Sequence, residues 1–317
     1  MAVGNALSLA VLASALVCAA GCKKDEKQDA TAARTVLRVA TFEPKNYDPG
    51  HLIDGLGREL VENLFEGLTA RDAAGEPIPG CAESWTTSAD GLTWTFKLRP
   101  GLVWSDGKAL TSADFVYSFR RALDPQTKNR QATMSYPIKN AEAIAKGDIK
   151  ELDKLGVTAP DATTVVVALE RPYPALLKVL RLGYTAPSPR HAVEKHGDKW
   201  TDPENIVSNG PFVLTEHKDA QYIKLAKNPK YHAAADVALE TVEFKFTSDN
   251  TTAWQWYELD EVDWVAGLVP DEKIEELRKK NDPALRIDPY NGQSLLFLNA
   301  EKAPTSDARL RRAIDLA

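Results

Sequence analysis

Apolar residues recur at every second position through Leu92, Trp94, Phe96 and Leu98, with Thr93, Thr95, Lys97 and Arg99 between them. That period of two specifies a half-buried strand with one face in the core. Elsewhere the period lengthens. Leu60, Val61, Leu64, Phe65 and Leu68 fall on one side of a helix, Arg58, Glu59 and Glu62 fall on the other, and Gly67 marks its stop. A loop punctuated by Pro and Gly over 43–57 precedes this helix, and a short strand over 37–40 precedes the loop. Phe115, Val116, Phe119, Ala122 and Leu123 form the stripe of another helix, which Thr111 or Ser112 caps, Asp114 favours in the first turn, and Asp124-Pro125 ends. Further strands are expected over 163–169 and 242–246, a helix over 174–182, and a hairpin-like pair over 212–215 and 222–226. Helices and strands are mixed without strict alternation, which predicts an α/β or α+β architecture with helices covering sheets, and no repeat of 20–50 residues is visible.

The two ends of the chain read differently from its middle. Residues 1–21 carry no charged side chain, and 6–20 is an Ala/Leu/Val run with small residues before Cys22, which reads as a signal peptide. Ala19-Ala20-Gly21-Cys22 is similar to a bacterial lipobox, which would make Cys22 the lipid-bearing mature N-terminus, although Ala19 stands where Leu is commoner and the basic n-region is lacking. A plain cleaved signal and an uncleaved anchor are the other readings of the same segment. The polar stretch after Cys22, taken as 22–35, is expected to be a flexible tether. At the other end, 307–317 reads as an amphipathic helix with Leu310, Ala313, Ile314 and Ala317 on one side and no closing Gly, Asn or Pro.

With 317 residues the chain has room for two or three domains. Its 44% hydrophobic and 26% charged content is that of a globular body, which excludes disorder and fibrous repeats. A net charge of −6, without a basic stripe, argues against nucleic acid as partner. No apolar window beyond the first 21 residues is long enough for a multispan channel or transporter. Three cysteines, Cys18, Cys22 and Cys81, cannot build a disulfide framework, and Cys81 beside Gly80 reads as packing.

Candidate chemistry is sparse. His51, His191, His196, His217 and His232 share no metal-ligand spacing, so solvated or packed histidine is the reading, and no metal or cofactor is expected. The segment from Gly101 to Gly107-Lys108 lacks the spacing and the Ser/Thr of a phosphate loop. No nucleophile elbow or triad is visible, and the carboxylate pairs Asp260-Glu261 and Glu275-Glu276 sit in charged segments that read as solvated faces. The chain is therefore not expected to be an enzyme. Its seven Trp and nine Tyr suit a binding cleft, yet Trp94 and Trp104 also read as core.

The run AESWTTSADGLTWTFKLRPGLVWSDGKALTSADFVYSFRRALDP over 82–125 resembles the signature of the extracellular solute-binding proteins of family 5, the peptide-, dipeptide- and nickel-binding receptors of ABC importers. NLFEGL (63–68), NPKYH (228–232), and FLNAEKAP and DARLRRAIDLA within 297–317 extend the resemblance, and VEKHGDKWTDPENIVSNGPF (193–212) is most similar to the oligopeptide-binding branch. The resemblance covers about 37–317.

It implies a type II periplasmic-binding-protein fold with two lobes: a discontinuous first lobe over 36–68 and 206–297, an inserted domain over 69–205, and the start of a second lobe over 298–317. Since family chains continue beyond this point, the resemblance and the unclosed last helix both lead to the expectation of a fragment or truncated product, one that binds peptide weakly or not at all in isolation. The implied function is capture of extracellular or periplasmic oligopeptides, held largely through their main chain, and delivery to a membrane permease driven by separate ATPase subunits. A monomer tethered to the membrane by lipid is implied. A dipeptide, nickel or other small-solute receptor is the alternative within the family, and a surface scaffold without transport lies outside it. Implied ligand contacts are Gly55 and Leu56 in the loop before the first helix, Tyr136 in the inserted domain, and Tyr290, Asn291, Gln293 and Ser294 at a crossing between lobes. Gly292 and Gln131 depart from residues common in the oligopeptide branch.

Overall fold

The computed structural model describes residues 35–52, 55–287 and 296–315. The elements, in chain order, are β1 (Val36–Thr41), α1 (Gly55–Leu64), β2 (Thr69–Arg71), β3 (Pro77–Pro79), β4 (Ala82–Thr87), β5 (Thr93–Leu98), α2 (Ser112–Leu123), α3 (Ala141–Lys146), β6 (Val157–Asp161), β7 (Thr164–Ala168), α4 (Leu176–Leu180), α5 (Arg190–His196), β8 (Phe212–Lys218), β9 (Tyr222–Lys227), β10 (Thr241–Phe246), α6 (Asn250–Glu258), β11 (Trp264–Val265), α7 (Asp271–Lys280) and α8 (Ala308–Asp315). The expected mixture of helices and strands is present. Among the described residues no helix is long and apolar enough to cross a membrane.

Two compact units divide the described chain: 35–37 with Pro44–Lys218 and Ile223–Glu243 in the first, Arg38–Glu43, Asp219–Tyr222 and Phe244 onward in the second. In the first unit an antiparallel sheet has the order β4-β5-β7-β6. β5 lies inside it, with Phe96 opposite Trp85 on one side and Val165 on the other. The alternation read from the sequence explains the placement, since Phe96 and Leu98 are buried while Lys97 between them is exposed. α2 lies against β6 and β7, its Phe115, Val116, Phe119, Ala122 and Leu123 all buried. Its start follows the expected capping logic: the Asp114 carboxylate accepts from the Thr111 backbone N–H at 2.8 Å, satisfying a donor that the helix leaves open.

β4 and β6 did not stand out in the sequence because they are sheet edges. Only Ala82 is buried in β4 and only Val157 in β6, so neither carries an apolar alternation. α7 was equally hidden: none of its residues is buried, and its polar surface is laced by pairs such as Glu276 with Lys280 at 2.7 Å.

The second unit has its own small core of Ala40, Ala253, Val262, Val265 and Leu268, with Trp256, Tyr257 and Val269 packed on it. β1 and β11 run parallel there, Val39 opposite Trp264 and Ala40 opposite Val265. Arg38 ties their ends together as a fork: its Nε donates to Asp263 Oδ2 at 3.0 Å and a terminal nitrogen donates to Oδ1 at 2.8 Å. Asp260 joins Arg38 at 3.2 Å, and Glu261 pairs with Lys245, so this carboxylate pair is held in ion pairs, as the solvated-face reading implies.

One close approach in the first unit leaves no room for a side chain. The Gly210 N–H donates to Leu64 O at 2.8 Å at the end of α1, and a Cβ on Gly210 would stand 2.6 Å from the Leu64 carbonyl carbon. The obstacle is backbone, which cannot rotate aside. Gly210→Ala is therefore expected to destabilise the first unit by about 1–3 kcal/mol through overpacking, read as a lower urea midpoint with an unchanged slope.

Candidate functional site

Of the implied ligand contacts, Gly55 and Leu56 are the first two residues of α1. This corrects the expectation that they lie in the loop before it. Helix boundaries shift by a residue or two when the first turn, whose N–H groups have no helical partners in any case, tolerates a poor helix former such as Gly. Tyr136 is half-buried and closes the 3-10 turn Ala132–Ser135, its N–H donating to Thr133 O at 3.2 Å. Tyr290, Asn291, Gln293, Ser294 and the lipidation candidate Cys22 lie outside the described residues.

What the structure adds is two polar clusters, one before α1 and one after it, that the sequence reading did not identify. Before the helix, Asp48 caps the 3-10 turn Pro49–His51 by accepting from the Gly50 N–H at 2.8 Å. The same carboxylate takes Arg121 of α2 through two donors, one at 2.7 Å, and accepts from Trp200 Nε1 at 3.0 Å. Trp200 is almost wholly buried, and the Arg121 guanidinium lies 5.8 Å from its ring centroid. Burial works against the Arg121 charge, but the hydrogen bond and charge of Asp48 outweigh it and raise its pKa. Asp48-Pro49-Gly50 carried a usable signal, since an Asx residue before Pro-Gly is a turn cap in need of a donor.

After the helix, Glu66 is only 8% exposed. Its carboxylate accepts from the Tyr231 hydroxyl on one oxygen and lies 2.7 Å from His232 Nε2 on the other. Its backbone is read as well: the Glu66 N–H donates to Asn209 Oδ1 at 3.2 Å, and Glu66 O accepts from Asn209 Nδ2 at 3.0 Å. Cys81 completes the cluster, its Sγ donating to Glu66 O at 3.4 Å and lying 3.2 Å from Asn209 Nδ2. Burial above all, and then the Glu66 carboxylate, raise the Tyr231 phenol and the Cys81 thiol above their ordinary values. Both stay protonated and act as donors. Asn228 secures the same return of the chain, donating from Nδ2 to Gly210 O at 2.9 Å.

NLFEGL, Cys81 just before the long signature, SNGPF and NPKYH thus meet at one point, and what they build there is a joint. His232 has the packed role expected of it, and so do His191, 2.9 Å from Asp106, and His217, 3.1 Å from Tyr47. Cys81 is packed as expected too.

Arrangement and comparisons agree on the class. Residues 76–317 match the family model of the bacterial extracellular solute-binding proteins, family 5 (middle), and the chain belongs to that family. It is 38% identical over 316 residues to the periplasmic oligopeptide-binding protein OppA of Salmonella typhimurium, covering 99% of this chain and 56% of that protein. It is also 38% identical over 276 residues to the probable deoxycholate-binding periplasmic protein YgiS of Escherichia coli, covering 86% of this chain and 51% of that protein. Among solved structures, Haemophilus influenzae OppA in complex with the peptide RPPGFSPFR superposes with a TM-score of 0.80 at 28% identity, over 89% of this chain and 56% of that one. The fold is the mixed α/β fold of type II periplasmic binding proteins, and the family is one of solute-binding receptors. The chain spans about half the length of the curated relatives it matches.

Two outcomes follow from the clusters. Asp48→Ala leaves a largely buried guanidinium without its counter-charge and is expected to cost about 2–3 kcal/mol, much of it recovered in Asp48→Ala/Arg121→Met, where no buried charge is stranded. Urea unfolding of both variants checks this. For Cys81, whose ordinary pKa is 9.0, burial raises the folded value, so the unfolded thiol ionises first and stability falls as pH rises above about 9. Iodoacetamide at pH 8 is therefore expected to label Cys81 slowly in the native protein and rapidly in urea, and rapid native labelling at Cys81 would contradict the cluster.

Proposed function

We propose that this chain belongs to an oligopeptide receptor of an ABC importer, exported and held at the membrane by lipid on Cys22. It captures peptides mainly through their main chain and hands them, as a monomer, to a permease powered by separate ATPase subunits. The observation that carries this reading is the 38% identity to an oligopeptide-binding protein over 99% of the chain. The peptide-bound structural relative supports the same reading. Main-chain capture gives tolerance of sequence, because every peptide offers the same donors and acceptors while side chains enter hydrated pockets. Ligand contacts are assigned to Gly55 and Leu56 on α1, to Tyr136, and to Tyr290, Asn291, Gln293 and Ser294. The first lobe is assigned to 36–68 and 206–297, the inserted domain to 69–205, and the start of the second lobe to 298–317. In this reading the joint at Glu66 is what keeps α1 in position toward ligand.

A second reading is favoured by the equal identity to the probable deoxycholate-binding relative: a small amphiphilic solute in place of the peptide. Calorimetry on the protein purified from its envelope fraction separates the two. Within each length, from tri- to pentapeptide, peptides that differ only in side chains are expected to bind within about tenfold of one another. A single backbone N-methylation, which removes one hydrogen bond, is expected to weaken binding by about tenfold. Binding of deoxycholate with no response to any peptide would replace the first reading by the second.

A further inference from the structure

One side of α2 and its C-cap form one wall of a concavity of about 780 Å³, lined by Ala113, Val116, Tyr117, Arg120, Arg121 and Asp124. Leu152, Thr158 and Ala159 form the facing wall, and Arg190 at the start of α5 closes one side. Among the described residues, neither Tyr136 nor the start of α1, both assigned to peptide capture, contributes to the lining. Its volume is that of a pocket for a small organic molecule.

Three guanidinium groups border it, and two are already neutralised. Arg121 is paired with Asp48. Arg190 is paired with Glu194 at 2.7 Å and lies 5.6 Å from the Tyr117 ring centroid, which makes that corner a flat, part-aromatic surface. Arg120 differs from both: it is half-buried, no acidic partner for it is found among the described residues, and its Nε is buried without a hydrogen-bond partner. Asp124, the one carboxylate of the lining, is engaged as a cap, accepting from the Gln126 N–H at 2.9 Å. A buried donor without a partner is costly, and a carboxylate matches the planar fork of arginine. The remaining wall, from Ala113, Val116, Leu152 and Ala159, offers aliphatic surface. An arginine without an ion-pair partner among the described residues, beside an apolar wall, complements a molecule with one anionic group and an apolar body.

We propose that this concavity is a second binding site, separate from peptide capture, for a small amphiphilic monocarboxylate whose carboxylate pairs with Arg120 and whose apolar body lies on α2 between Ala113, Val116, Leu152 and Ala159.

The probe is 9-anthracenecarboxylate, with 9-anthracenemethanol as its uncharged counterpart, titrated by fluorescence into the purified full-length protein. Saturable binding of the carboxylate is expected, about tenfold tighter than the alcohol. Arg120→Gln is expected to bring the carboxylate down to the level of the alcohol and to leave the alcohol unchanged. Ala113→Trp, an exposed position on the wall, fills the concavity and is expected to abolish both, with circular dichroism and melting temperature confirming that each variant is folded. Excess pentapeptide is expected to leave the bound probe in place whether or not the peptide itself binds. Equal affinity for acid and alcohol, full retention of carboxylate binding in folded Arg120→Gln, or displacement by peptide would each overturn the proposal.

Discussion

The carboxylate of Glu66 is the constraint around which the first unit is arranged. A polar group with 8% exposure cannot rely on water, so its partners must come from the protein, and they come from far along the chain. The partners of the carboxylate, Tyr231 and His232, lie 165 and 166 residues away, and the Glu66 backbone is held by Asn209, 143 residues away, and by Cys81, 15 away. A cluster of this kind is satisfied as a whole or costs heavily in part, since each missing partner strands a buried donor or acceptor. It therefore makes the end of α1, the entry to β4 and the return through 209–232 mutually dependent. Asp48 does the same before α1, joining the turn Pro49–His51 to α2 and to Trp200. The two clusters thus flank α1 in sequence and tie the chain on either side of it to distant segments.

Most elements with a buried stripe were legible in the sequence. β5, α2, β7 and the β8–β9 pair carry their periodicity because one face of each enters the core and the other does not. Elements without that contrast were not legible: β4 and β6 are edges with one buried residue each, and α7 buries none. Hydrophobic patterning reports burial, so an element that buries nothing leaves no pattern, however regular its backbone.

The candidate site was less legible for a different reason. Family resemblance drew attention to NLFEGL, SNGPF and NPKYH as motifs, and motifs invite a functional reading. Their residues turn out to satisfy one another. Asn209 gives both ends of its amide to Glu66 backbone, Gly210 presses against the Leu64 carbonyl, and Asn228 holds Gly210 in turn. Polar residues committed inward in this way serve one another and not a cleft surface. A single sequence shows that such residues are polar and not where their partners lie, because several of the partners, such as Asn209 for Glu66, are more than a hundred positions away.

The same accounting distinguishes the two arginines that close α2. In sequence Arg120 and Arg121 are an indistinguishable pair of like charges. On a helix adjacent residues point about 100° apart, so they meet different surroundings. Arg121 turns toward Asp48 and Trp200 and becomes part of the scaffold, its charge cancelled and its donors used. Arg120 meets no carboxylate among the described residues and retains an unpaired buried Nε beside an apolar hollow. The ion pair with Asp48 accounts for the first arginine, while the Nε of the second finds no hydrogen-bond partner among the described residues. That difference places the proposed anion site at Arg120 and not at its neighbour.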